Sequence, residues 1–211
     1  MPIVGGGTGT PMTWPLGNPY PGGQVTEPAE EPVTLDKVKE YLRIDSDAQD
    51  SLLTGYIQAA RILAEMWSRR AFIARTLDLW LESWPASNKI VLPRPPLQSV
   101  VWVQFIDTNN ATSDMDADDY VLDTFHEPGC IILGYGKSWP SATLRPGPAI
   151  NVRYVAGYGT PSQVPAIYKQ AILLMTGHFY ENREEVTPGN VRLQQVPLGA
   201  RLLLTVDRGD F

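Results

Sequence analysis

Residues 47–70, DAQDSLLTGYIQAARILAEMWSRR, decide the fold together with the change of pattern that follows them. Apolar residues recur here at three- and four-residue steps, which predicts one helix from about Asp47 to Arg69. The predicted apolar stripe consists of Leu52, Leu53, Tyr56, Ala60, Leu63 and Trp67. In the next stretch, TLDLWLESW at residues 76–84, leucine recurs at every second position. A period of two predicts a β-strand, so the chain passes from a helical part into a β part.

Capping residues predict where the first helices begin. Thr34 can cap a short helix that precedes the long one. The apolar face of this short helix consists of Leu35, Val38 and Leu42. Ser46, with Gln49 three residues later, fits a capping box at the start of the long helix.

The centre of the chain has strand character, and a further helix follows it. Besides residues 76–84, the β-like segments are KIVL (89–92), SVVWVQFID (99–107), YVLD (120–123), CIILGYG (130–136) and PAINVRYVAGYG (148–159). TNNATSD at residues 108–114 is predicted to be a turn. Ser162 can cap a helix whose first turn tolerates Pro165. This helix is apolar nearly all round from Ala171 to Tyr180, which predicts a central, packed position.

These elements predict an α+β fold: a helical bundle of about three helices, an inserted small antiparallel β-sheet lobe, and extended N- and C-terminal arms. The Gly/Pro-rich residues 1–32 are predicted to be the N-terminal arm. The predicted core is residues 33–185, with helices at 34–70 and 163–185 and the β insertion at 75–157. Residues 186–211 are predicted to be a C-terminal docking arm.

Composition argues against several classes of function. The formal charge is −6, from 23 acidic and 17 basic residues, and no basic block is present to replace the counterions of nucleic-acid phosphates. The single cysteine, Cys130, excludes an internal disulfide framework, and with two histidines a zinc site is not expected. No stretch approaches the roughly 18 continuous apolar residues of a membrane helix. The start has no basic region typical of a secretory signal. We therefore expect synthesis in the cytoplasm, and no cofactor, metal or membrane.

Motifs that carry chemistry are incomplete. GGGTGT at residues 5–10 lacks the Gly-Lys-Ser/Thr ending of a phosphate loop. DMDADD at residues 114–119 copies the first half of a calcium loop, but Asp119 and Phe125 stand where its glycine and glutamate are needed. His126 and Cys130 flank a Pro-Gly turn, and no orienting third partner is marked in the sequence. We predict no catalytic residue.

Two ligand-directed alternatives stay open from the residues alone. A glycan hydrolase would need paired carboxylates, for which the candidates are Glu82 with Asp107 or Asp123. A carbohydrate-binding module would need a row of exposed tryptophans, for which the candidates are Trp80, Trp84, Trp102 and Trp139. Core packing is the commoner role for tryptophans in a β-rich region.

Four segments, in this order and spacing, resemble the head–tail connector (adaptor) family of long-tailed bacteriophages and related prophage or gene-transfer particles. They are VTLDKVKEYLRIDSDAQDSLLTGYIQAARILAEMWSRRA (33–71), VLPRPPLQSV (91–100), YVAGYG (154–159) and VPAIYKQAILLMTGHFYENRE (164–184). Together they extend over about residues 33–185. LRID with its acidic tail, LPRPPLQSV and GHFYENRE are fairly specific in combination.

The resemblance implies a structural subunit of a ring of about twelve copies, seated beneath the portal in the virion neck. It implies as partners further copies of the chain, the portal protein, and a downstream neck, stopper or tail protein. The C-terminal segment of related connectors docks on the portal. By position, the portal-docking candidates are Arg192, Leu193, Val196, Leu198, Leu202, Leu203 and Leu204. The resemblance assigns the N-terminal arm no role.

Such a ring extends the channel through which DNA passes without sequence-specific binding. An acidic subunit suits that task, because like charge disfavours contacts with phosphates. The candidate channel or loop residues are Asp114, Asp116, Asp118 and Asp119. A stopper or tail-completion protein of the neck is the nearest alternative, but such proteins are often all-β, and the helix predicted at 163–185 favours the adaptor.

Overall fold

The computed structural model describes Gly23, residues 26–182 and residues 197–205. Four helices form one lobe: α1 Leu35–Leu42, α2 Asp50–Ser68, α3 Ala166–Glu181 and α4 Leu198–Thr205. Seven strands form the other lobe, which is inserted between α2 and α3. The predicted α+β class is therefore confirmed, with one helix more than the sequence indicated.

Helix starts agree with the sequence for α1 and differ for the two longer helices. Thr34 Oγ1 accepts from the N–H of Lys37 at 3.3 Å, as predicted. The predicted capping box at Ser46 is wrong, because Gln49 is the residue that precedes α2 and Ser46 Oγ accepts from Ala48 N instead. The chain is held in a turn here, since Lys39 of α1 forms ion pairs with two aspartates, Asp47 and Asp50.

The predicted cap of α3 is also displaced. α3 begins at Ala166, directly after Pro165, while Ser162 lies in a separate 3₁₀ turn, Pro161–Gln163. The N–H of Thr160 donates to Gln163 Oε1 at 2.9 Å and closes that turn. A proline cannot donate a backbone hydrogen bond, so the chain ends the turn there and starts the helix afresh.

The strands form two antiparallel sheets. Their bounds are β1 Arg75–Leu81, β2 Lys89–Val91, β3 Leu97–Ile106, β4 Thr112–Asp114, β5 Tyr120–Asp123, β6 Cys130–Leu133 and β7 Ile150–Ala156. The four-stranded sheet has the order β1-β7-β3-β4, and the three-stranded sheet has the order β2-β6-β5. The predicted turn at 108–114 is corrected in part, because its last three residues pair with β3 as β4.

Each lobe has its own hydrophobic core. In the helical lobe Phe72 stacks on Tyr168 with ring centroids 4.6 Å apart, and both rings are buried. Leu53 and Met175 bring α2 and α3 into the same core. The β core fills the space between the sheets; its largest fully buried side chains include Leu77, Leu92, Ile131, Ile150 and Tyr154. Burying such side chains is worth roughly 1.5–3 kcal/mol each.

Both predicted arms are partly attached to the core. Within residues 1–32, Glu31 forms an ion pair with Arg61 of α2 at 2.8 Å, and Thr26 is hydrogen-bonded to Thr76 of β1. Within residues 186–211, α4 packs on α3, with Ala200 and Leu204 fully buried. α4 is amphipathic, and packing its apolar side is what lets so short a helix persist.

Candidate assembly surfaces

The outer side of α2 presents an apolar stripe to solvent. Leu52 is 39% exposed and Met66 is 46% exposed, while Ala59 is exposed and Ile62 half-buried between them. Gly55 completes the stripe, and a Cβ added there would meet nothing within 4 Å. Steps of three, four, three and four residues join the five positions, which is the spacing of a helix-packing seam.

The same side of α2 carries no charge from Ser51 to Met66. The only charged residues in that interval are Arg61 and Glu65, which are 4% and 1% exposed because they turn inward to ion pairs. The single apolar stripe predicted from the sequence combines residues from two sides of the helix. Leu53 and Ala60 face the core, whereas Leu52 faces solvent. A long, uncharged, solvent-facing helix side is typical of a surface that another protein covers.

The four aspartates predicted for the channel lie between the last residue of β4, which is Asp114, and the start of β5. Asp114, Asp116 and Asp118 are exposed and Asp119 is half-buried. Asp116 Oδ1 accepts from the N–H of Asp118 at 3.0 Å, and Asp119 pairs with Lys137. The structure thus brings the four aspartates together on one side of the β lobe, and their place in a channel stays a prediction.

The β5–β6 turn presents an exposed aromatic ring that the sequence did not single out. Phe125 is 89% exposed and packs edge-on against His126. Asp123 fixes this turn: it accepts from the backbone N–H groups of both residues and from the His126 ring. These hydrogen bonds from His126 and Phe125 lower the pKa of the Asp123 carboxyl below its usual range.

Cys130 lies opposite Asp123 on β6 and is 6% exposed. Burial raises the pKa of its thiol, and the negative charge of Asp123 adds to the effect. A nucleophilic cysteine needs the opposite shift, towards the thiolate. The His126–Asp123 pair therefore does not create a nucleophile at Cys130.

The Cys130 thiol is expected to react with Ellman's reagent at least about tenfold more slowly than free cysteine at pH 8, because it is buried and protonated. A Val121→Cys variant is the matched control, since that side chain is 62% exposed on the neighbouring strand β5. The added thiol should react quickly, and unfolding in urea should make both thiols react quickly. Fast native reaction of Cys130 itself would contradict the buried, high-pKa thiol.

The predicted portal-docking residues have different surroundings. Arg192, Leu193 and Val196 lie outside the described residues, and Leu198 begins α4. Leu202 is 65% exposed, so it is available to a partner. Leu203 is half-buried and Leu204 fully buried against the helical core. Docking through these residues stays a prediction, and among the three described side chains, those of Leu202, Leu203 and Leu204, that of Leu202 is the most accessible.

Residues 26–182 and 197–205 contain neither a metal cluster nor a membrane-spanning helix, and two of the other candidate residues have local contacts. No group of three or more His, Cys, Asp or Glu residues there could hold a metal ion. None of the described helices is long and apolar enough to cross a membrane. Asp107 is occupied in a turn, accepting from the N–H groups of Asn109 and Ala111. Trp84 stacks on Trp139 at 5.1 Å beside the β core.

The described residues thus combine a four-helix lobe, an inserted antiparallel β lobe and an uncharged, solvent-facing side of α2. Residues 32–128 match the model of the family described as phage gp6-like head-tail connector proteins. The resemblance to phage head–tail connectors predicted from the sequence is therefore confirmed.

Solved structures share the fold over most of the chain. A chain from the neck of an empty GTA particle, computed with C6 symmetry, has a TM-score of 0.72 at 22% identity, covering 88% of this chain and 94% of its own. A chain from the virion of a native gene transfer agent particle gives the same values. One from the neck of the native GTA particle, computed with C12 symmetry, has a TM-score of 0.65 at 24% identity, with 88% and 93% covered. No curated protein matches significantly.

Proposed function

We propose that this chain is a structural head–tail connector subunit that forms a ring of about twelve copies beneath the portal, in the neck of a phage-like particle. The ring extends the DNA channel and joins the capsid to the tail or to the next neck protein. The protein acts by binding other proteins and not as an enzyme. The observation that carries this proposal is the connector family match over residues 32–128 within a fold shared with neck proteins over 88% of the chain.

The uncharged side of α2 supplies the contact between copies. In a closed ring two different faces of each subunit meet, so this stripe packs against another face of the neighbouring copy. Its small central residues, Gly55 and Ala59, let the neighbour's backbone approach closely. Its ends, Leu52 and Met66, supply the apolar area that such a contact removes from water.

The remaining surfaces suit the other partners. The exposed aspartates Asp114, Asp116 and Asp118 repel phosphates, as a channel wall must if DNA is to slide past it. α4 exposes Leu202 close to the segment that contains the remaining portal-docking candidates, and this end of the chain binds the portal. Leu202 lies on the same helix as Leu204, which anchors that helix to the core, so Leu202 gives a partner a fixed apolar contact.

Native mass spectrometry and negative-stain imaging of the purified chain, with and without its portal, test the proposal. Rings of about twelve copies, free or bound to the portal, are the expected result. Some connectors assemble only on their portal, so the portal-containing sample decides. A chain that stays monomeric and unbound in the presence of its portal contradicts the connector role.

Introducing a charge by Ala59→Glu should prevent the ring without unfolding the subunit. Ala59 is exposed in the isolated chain, so the carboxylate is solvated there, whereas a ring contact would bury it unpaired. That burial costs about 3 kcal/mol or more per contact, which weakens each contact about 100-fold. Circular dichroism checks the fold, and native mass spectrometry counts the copies.

Gln58→Glu is the matched control, because it adds the same charge one residue away at an exposed position on the flank of the stripe. We expect this variant to retain the ring. Equal loss of assembly in both variants would show that net charge, and not the α2 stripe, controls association. Retained rings in the Ala59→Glu variant would place the contact between copies elsewhere.

A further inference from the structure

The outer face of the three-stranded sheet is apolar, whereas the solvent-facing side of an antiparallel sheet is usually polar. Ile131 of β6 is fully buried in the β core, so strand alternation turns its neighbours, Cys130 and Ile132, to the opposite face. The strand pairing completes this surface, the β2–β6–β5 face, which consists of Lys89, Val91, Val121, Asp123, Cys130 and Ile132. Lys89 and Asp123, on the two outer strands, are the only charged residues among them.

The side chains of the middle strand are less exposed on this face than those of the strands that flank it. Val91 of β2 is 43% exposed and Val121 of β5 is 62% exposed. Between them, Ile132 of β6 is half-buried and Cys130 is 6% exposed. Two strand spacings, about 10 Å, separate β2 from β5. An element that covers this face must therefore reach between two projecting valines, which suits a helix side made of small residues.

Phe125 stands at one end of the β2–β6–β5 face, on a turn that is fixed on both sides. Its ring is 89% exposed. Asp123 accepts from the backbone N–H groups of Phe125 and His126, at 3.0 and 3.1 Å. Glu127, on the other side of the turn, forms an ion pair with Arg70, which follows α2. A ring held in this way loses little conformational freedom when a partner covers it, and such aromatic side chains are typical anchors of protein contacts.

The α2 stripe has the complementary profile. Its central residues, Gly55 and Ala59, carry no side chain beyond Cβ, whereas Leu52 and Met66 project at its ends. A Cβ added at Gly55 would meet nothing within 4 Å, so the helix backbone is accessible there. The stripe is about 21 Å long from Leu52 to Met66, at 1.5 Å per residue. It is therefore long enough to cross the whole sheet face, with its narrow part between the two exposed valines.

The ends of the two surfaces match in charge and in chemistry. Lys89 is exposed at the end of the sheet face remote from Phe125. Asp45 and Asp47 are exposed just before α2 begins, near the start of the stripe. Placing Lys89 over these aspartates brings Phe125 towards Met66, and methionine sulfur packs favourably against aromatic rings. An exposed charge pair of this kind sets the orientation of a contact more than its affinity.

We propose that the β2–β6–β5 face of one copy binds the α2 stripe of the next copy, with Lys89 at the start of α2 and Phe125 at Met66. A closed ring needs two different faces on each chain, and these two surfaces lie in different lobes of one subunit. Both surfaces are apolar at their centres, so the contact removes matched apolar area from water. This pairing rests on the proposed ring and supplies the second face of its repeated contact.

Cross-linking of a double variant, Ala59→Cys with Val121→Cys, tests the pairing on rings assembled with the portal. A short bismaleimide joins thiols that lie close together, and each chain carries one added thiol on each surface. We therefore expect a ladder of covalent oligomers that extends to the full ring. An equal mixture of the two single variants should give covalent dimers and nothing larger, which shows that the link joins different copies. The reaction is kept brief so that the buried Cys130 stays unmodified.

Val101→Cys with Ala59→Cys is the matched control, because Val101 is 51% exposed but lies on β3, in the other sheet. This variant should give no ladder. Native mass spectrometry of the unmodified chain with its portal is run in parallel. If that chain forms rings and the first double variant gives no ladder, or one that stops at dimers, the pairing is overturned and the connector role stands. A chain that stays monomeric and ignores its portal overturns the connector role, and this pairing with it.

Exchanged charges give a second readout that needs no cross-linking. Val121→Glu alone should weaken each contact about 100-fold, as Ala59→Glu does, because the carboxylate would be buried without a partner. Combining Val121→Glu with Ala59→Lys should recover at least about tenfold of that loss, since the two charges meet across the contact. Loss without recovery, in variants whose circular dichroism shows an intact fold, would contradict the pairing.

Discussion

Replacing Glu65 by glutamine is expected to lower the free energy of unfolding by about 3–5 kcal/mol, because two buried arginines would lose their counter-charge. Glu65 is 1% exposed on α2. Its Oε2 accepts from Arg61 at 3.2 Å, and its Oε1 forms an ion pair with Arg75 at the start of β1. Oε1 also accepts from the backbone N–H of Phe72 at 2.9 Å.

The Glu65 cluster joins the two lobes, which is why the loss should be large. Arg94, in the loop before β3, donates to the Glu65 carbonyl at 2.6 Å. Arg61 reaches from the same helix to Glu31, in the segment that precedes α1. Desolvation by burial raises the pKa of the Glu31 carboxyl above its usual range, and the neighbouring Arg61 opposes that shift.

Urea unfolding followed by circular dichroism measures the effect, with Glu40→Gln as the matched control. Glu40 forms an exposed ion pair with Lys37 on α1, and such surface pairs contribute about 0–1 kcal/mol. The large loss should therefore be confined to Glu65→Gln. A loss below about 1 kcal/mol at Glu65 would mean that the cluster is hydrated or rearranges, contrary to its burial.

The sequence predicted those parts of the fold that depend on neighbours along the chain. The three-to-four spacing of residues 47–70 and the alternation in 76–84 correspond to α2 and β1. The sequence could not tell which side of α2 faces inward, since both sides are apolar. That choice depends on Glu65, whose partners in β1 and in the segment before α1 are fixed only by the tertiary fold.

The candidate surfaces also differ in whether neighbours along the chain are enough to predict them. The clustered aspartates were visible because they are adjacent in sequence, whereas the α2 stripe depends on which side of the helix faces solvent, and the outer face of the four-stranded sheet depends on strand pairing. One local signal of the outer sheet face was present, because Trp80 occupies a polar position of the β1 alternation, two residues after Asp78. Its cross-strand partner, Asn151, lies in β7, far along the chain, and only the sheet order brings the two together.

Gly157→Ala should destabilise the chain by about 3 kcal/mol or more, because the added Cβ would overlap backbone that cannot move independently. Gly157 directly follows β7 and has φ +124°, and an added Cβ would lie 2.5 Å from the carbonyl oxygen of Ile73 and 2.8 Å from the nitrogen of Ala74. Its own N–H donates to Pro96 O at 2.9 Å. Three segments therefore meet at Gly157: the one that leads into β1, the one that follows β7, and the one that leads into β3.

Gly147→Ala is the control that distinguishes steric crowding at Gly157 from the cost of a positive φ for alanine. Gly147 also has a positive φ, +82°, but a Cβ there would meet nothing within 4 Å. Only the left-handed conformation should then cost stability, about 1–2 kcal/mol. In denaturant unfolding, the free energy of unfolding of the Gly157→Ala variant should be lower than that of the Gly147→Ala variant by about 2 kcal/mol or more. Equal losses would mean that the segments at Ile73 and Pro96 can separate, and that the crossing does not hold the β lobe against the helices.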